Sequence, residues 1–80
     1  MIEDEKIARE VIAVLQDCSS KLNESIRLVQ QRCTDEEFQK YRKGAGFVMG
    51  YLYTEVLAKL YRKHPHLEPP EIREPDPHFP

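Results

Sequence analysis

No proline interrupts residues 2–64; all six lie in residues 65–80. A chain that can run helical for sixty positions and then cannot divides itself into two regimes. Within the first, Ala8, Val11, Leu15, Cys18, Leu22, Ser25 and Val29 step by three and four, and Ile12 and Ile26 widen the stripe. That spacing predicts an amphipathic helix over about 3–32. Glu3, Asp4 and Glu5 suit its N-terminus, where acidic side chains meet unsatisfied amides and the positive end of the dipole. The polar run Ser19-Ser20 with Asn23 lowers helix propensity and marks a place for a kink, but no Gly or Pro breaks the segment.

Cys33-Thr34 forms the expected turn. Thr34 followed by Glu37 is a capping box, in which the threonine oxygen takes the third amide and the glutamate reaches back to the first. A second helix is therefore expected over about 35–63, closed by Arg62, Lys63 and His64 and stopped by Pro65. A connection this short makes the two helices antiparallel neighbours. With the turn at 33–34, facing positions add up to about 67, which pairs Val29 with Phe38, Ile26 with Tyr41, Leu22 with Ala45, Leu15 with Leu52 and Val11 with Val56. Apolar residues meet at every level, so the two periodicities support one all-α fold: a long antiparallel two-helix hairpin over residues 1–64. Residues 65–80 read as an acidic, Pro-rich tail of extended or polyproline character. Leu67, beside the helix end, is expected to pack.

The second helix carries more apolar surface than its partner can cover. Phe38, Tyr41, Ala45, Val48, Leu52, Val56 and Leu60 account for the hairpin contact, leaving Phe47, Met49, Tyr51, Tyr53, Leu57 and Tyr61 in surplus. Gly46, Gly50, Thr54 and Ala58 add a four-spaced ridge of small side chains. Each interior helix glycine costs about 1 kcal/mol relative to alanine, a penalty that close approach of another helix would offset. The alternative is that the glycines relieve crowding against the first helix or mark a hinge. The expected interaction residues are Gly46, Phe47, Gly50, Tyr51, Thr54, Ala58 and Tyr61. The expected assembly is a homodimer forming a four-helix bundle, that is, a scaffold or adaptor without enzymatic activity.

Other chemistries find little support. Cys18 and Cys33 would lie roughly 22 Å apart along one helix, at about 1.5 Å per residue, too far to bridge, and read as buried, reduced thiols of a cytoplasmic protein. The acidic N-terminus is unlike a secretory signal, and the longest uncharged stretch, eleven residues at 44–54, is too short to span a bilayer. Residues 1–63 are near charge balance, so neither nucleic acid nor a membrane is an expected partner. Lys40, Arg42 and Lys43, with Arg27 and Arg32, gather around Tyr41, but Asp35, Glu36 and Glu37 offset their field. His64, His66 and distant His78 lack the rigid cysteine or carboxylate company of a metal site, so no metal or cofactor is expected. His64 reads as a helix C-terminal cap. Pro77-His78-Phe79-Pro80 matches PxxP without the flanking basic residue of an SH3 ligand.

Two resemblances rest on particular residues. Gly46-Phe47-Val48-Met49-Gly50, followed by Leu60-Tyr61-Arg62-Lys63-His64-Pro65-His66-Leu67-Glu68-Pro69-Pro70, resembles the C-terminal half of small uncharacterised bacterial helical-hairpin proteins, a domain of unknown function. It implies a bacterial cytoplasmic protein and brings no activity with it. The layout of Cys33-Thr34 leading into Glu37-Phe38 and Tyr41 is similar in outline to the co-chaperones of type III secretion needle subunits. That likeness implies a second function, binding a partner protein's helix on the apolar face; the Pro-rich tail departs from the pattern.

Overall fold

The computed structural model describes residues 1–69. Expectations for residues 70–80, including Ile72, His78 and Phe79, lie outside the described residues. The chain forms α1 (Glu5–Arg32), α2 (Asp35–Tyr51), a π-helical segment (Leu52–Leu57), α3 (Ala58–Lys63) and a short 3-10 turn (Pro65–Leu67). α1 is one unbroken helix of 28 residues, running through its Ser-rich middle. It starts two residues later than expected, because Asp4 rather than Glu3 takes the cap and accepts from the amides of Lys6 and Ile7.

At the turn, Thr34 accepts from the amide of Glu37, and the Glu37 carboxylate accepts from the amide of Thr34 at 2.9 Å. The predicted capping box is present, and α2 starts where it fixes it. The two arms lie antiparallel. Three cross-arm contacts share one register, Ser25 with Tyr41, Glu3 with Lys63 and Ile2 with His64, whereas Gln16 with Tyr61 and Glu5 with His66 reach across it diagonally. Each of the first three pairs adds up to 66, one less than the register expected from the apolar stripes.

The second arm departs from a plain helix at Leu52. Its backbone stays right-handed throughout, but the Ala58 amide bonds the Tyr53 carbonyl, five residues back. A π turn holds one extra residue, so it rotates everything downstream relative to an α-helix. The consequence is a change of face. Leu57 and Tyr61, which an unbroken α-helix leaves on the outside, turn inward beside Leu60 and pack on Ala8 and Ile12. Ile2, Val11, Leu15, Leu52, Val56 and Leu67 close over this cluster, so Leu67 packs as expected. The core therefore sits at the open end of the hairpin, far from the connecting turn.

Along α1, the sheltered positions include Ala8, Ile12, Leu15, Ser19, Leu22, Ile26 and Val29, in alternating steps of four and three, with Val11 and Ser25 half-buried beside them. That heptad-like course runs through Ser19 and leaves Cys18 outside. Cys18 and Cys33 are both free and both exposed, so their reading as buried thiols is corrected.

Candidate functional site

The surplus surface splits in two once the π segment has turned the chain. Leu57 and Tyr61 leave the surplus altogether. Tyr61 is only 3% exposed, and its hydroxyl accepts from Gln16 Nε2 at 3.3 Å. As a residue presented to a second chain it is corrected: the extra residue in the π turn carries it into the intrachain core. Val48, expected to face α1, is instead exposed, and Met49 takes the half-buried position.

The remainder stays outside and stays together. Phe47 is 59% exposed and Tyr51 65%, and Gly46, Gly50 and Thr54 are exposed beside them. These five residues, five of the seven expected from the sequence, line one open groove of about 230 Å³. That volume lies below the several hundred cubic ångströms of a typical small-molecule site, and the lining offers one hydroxyl pair and no charge. Ala58 is half-buried and belongs to a neighbouring depression with Tyr53, Tyr61, Arg62, Pro65 and Glu68.

The glycines decide how the groove is read. A Cβ added to Gly44, Gly46 or Gly50 meets no atom within 4 Å. Nothing among the described residues needs these positions small, so relief of crowding against α1 does not account for them. All three have negative φ, and no turn or left-handed conformation calls for glycine either. They weaken α2 by about 1 kcal/mol each with no compensating contact among the described residues.

The histidines do something that the sequence reading missed: they fasten the open end. His64 is buried and its Nε2–H donates to the Ile2 carbonyl at 2.8 Å, since a carbonyl can only accept. His64 ends α3 through its backbone amide, which bonds the Leu60 carbonyl; its ring is spent on Ile2, in the segment before α1, rather than on capping. His66 Nε2 donates to the Glu5 carboxylate at 2.8 Å, and Lys63 meets Glu3 at 2.8 Å. Both carboxyls are held below their ordinary value, Glu3 by the hydrogen bond and charge of Lys63, Glu5 by those of His66. The available signal was the register expected from the stripes, which places residue 64 within one position of residue 2.

Among the described residues, no group of three or more His, Cys, Asp or Glu side chains could hold a metal ion. No described helix is long and apolar enough to cross a membrane. Lys40, Arg42 and Lys43 are exposed, with Lys40 Nζ 3.4 Å from Glu36. Fold and face thus define a helical hairpin bearing an exposed aromatic and glycine surface. No family model, curated protein or solved structure matches the chain.

Proposed function

We propose that the protein works by association, as a non-enzymatic homodimeric scaffold or adaptor of the bacterial cytoplasm. Its contact surface is the α2 face of Gly46, Phe47, Gly50, Tyr51 and Thr54, and two hairpins meeting there make a four-helix bundle with α2 central. One observation carries the reading: exposed Phe47 and Tyr51 stand beside glycines that no packing among the described residues explains. Large apolar side chains in water and unfilled helix glycines are both unfavourable alone. A neighbouring helix relieves both, covering the rings and approaching the bare backbone closely enough for dispersion contact.

Sedimentation at micromolar concentration tests this directly. The expected result is a species of twice the 9.4 kDa chain mass. Gly50→Leu, which finds open space within its own chain, should return the protein to monomer without loss of helix content. A wild-type chain that stays monomeric sinks the homodimer. The co-chaperone reading, in which the same face takes a helix of another protein, would then stand in its place.

A further inference from the structure

Resting on that association reading, we infer that the second copy docks antiparallel, α2 against α2, about a twofold axis at the level of Met49. The inference comes from the exposed stripe that contains the aromatic pair. Glu36, Lys40, Lys43, Phe47, Tyr51, Glu55, Lys59 and Arg62 are exposed along one side of the second arm, apart from Tyr53 and the buried cluster. Their steps are four or three throughout, and the π segment holds about 4.4 residues per turn, so a step of four still keeps to one side there.

This stripe reads almost the same in both directions. Reversed about position 49, Phe47 falls on Tyr51, Lys43 on Glu55, and Glu36 on Arg62. An antiparallel twofold therefore stacks the two aromatic pairs at the centre and sets two opposite-charge pairs outside them, each pair occurring twice by symmetry. Lys40 and Lys59 come near one another as the single like-charged pair, and Lys40 already has Glu36 within 3.4 Å on its own chain. The parallel alternative is worse at every charged level: it sets Glu36, Lys43, Glu55 and Arg62 each against its own copy. Like charges at an interface penalise the wrong arrangement, so the pattern selects direction as well as partner. Gly46 and Gly50 run along one edge of the stripe and allow the backbones to approach there. In this arrangement the two turns at Cys33-Thr34 lie at opposite ends of the dimer, and the two chains leave Pro69 at opposite ends as well.

Disulfide trapping reads the direction. In chains carrying Cys18→Ser and Cys33→Ser, which remove the exposed native thiols, either Lys43→Cys or Glu55→Cys is added. Each variant oxidised alone should stay uncrosslinked, while an equimolar mixture refolded together should give a disulfide-linked species of twice 9.4 kDa. Charge exchange supplies a second reading: Lys43→Glu should weaken self-association roughly tenfold, from two symmetric copies of one pair, and adding Glu55→Lys should restore it. Crosslinking of Lys43→Cys with itself, or a wild-type dimer whose mixed variants never crosslink, overturns the antiparallel register and leaves the association standing. A wild-type chain that sediments as a monomer overturns both.

Discussion

The two halves of the second arm carry similar residues and treat them in opposite ways. In α2, Phe47 and Tyr51 stand in water; past the π segment, Leu57, Leu60 and Tyr61 are packed against Ala8 and Ile12. Hydrophobicity does not separate the two stretches, since both are apolar on several sides. Phase does. One extra residue in the π turn rotates the downstream stretch onto α1, where a compact cluster and the His64 clasp hold the ends of the hairpin together. Upstream, Ala45 is the one residue of α2 buried against α1. Among the described residues, intrachain burial is thus concentrated at the open end, and the middle of α2 keeps Phe47 and Tyr51 exposed.

The contrast is broken most sharply at Leu60, which is fully buried. Leu60→Ala should cost about 2–5 kcal/mol through lost transfer energy and the cavity left behind. Phe47→Ala should change the stability of the isolated chain by less than about 0.5 kcal/mol, because its ring makes no comparable burial. Urea unfolding at concentrations low enough to keep chains apart checks both. Equal losses from the two substitutions would mean that the halves do not differ as described.

Gly46→Ala sharpens the comparison from the other side. With no atom within 4 Å of the added carbon, alanine should stabilise the single chain by about 1 kcal/mol, the ordinary helix preference. The same urea experiment reads it as a higher midpoint at an unchanged slope. A destabilised single chain would show that the space beside α2 is already filled in solution.

How far the sequence announced this follows from the range over which each signal acts. The capping box at Thr34 and Glu37 is local, involves four residues and was legible in full. The hairpin register was legible to within one residue, because apolar stripes on both arms constrain it redundantly. The π turn was not. With Val56, Leu57, Leu60 and Tyr61 all apolar, a helix in either phase presents a plausible stripe, and only the choice of packing partner decides between them. The same ambiguity misplaced Tyr61 among the outward residues while Gly46, Phe47, Gly50, Tyr51 and Thr54, lying before the phase change, came out together. Cys18 was misread for a similar reason: Ser19, a polar residue, holds the half-buried position that hydrophobic counting assigned to its neighbour. The clasp joins residues more than sixty positions apart through polar groups, which no periodicity reports.

The smallest expected effect is the dependence of stability on acid, and it compares the two ends of the hairpin. Glu37 at the turn is held below its ordinary value, first by the amide of Thr34 and then by its hydroxyl. Glu3 and Glu5 at the open end are lowered by Lys63 and His66. A carboxyl whose folded value lies below its unfolded one binds protons more readily in the unfolded chain. Its contribution is therefore present above the unfolded value, near 4.5, and is lost as pH falls through the folded one. The thermal midpoint should decline as pH drops from about 5 to about 3. All three carboxyls are exposed, so the decline should be shallow and should flatten further in high salt for Glu3 and Glu5, whose partners are charges. Glu37→Gln can still reach back to the Thr34 amide and keep the cap, yet it cannot titrate. It should reduce the acid-dependent decline and leave the salt-sensitive part intact. A decline that Glu37→Gln leaves unchanged would assign the acid sensitivity to the open end alone.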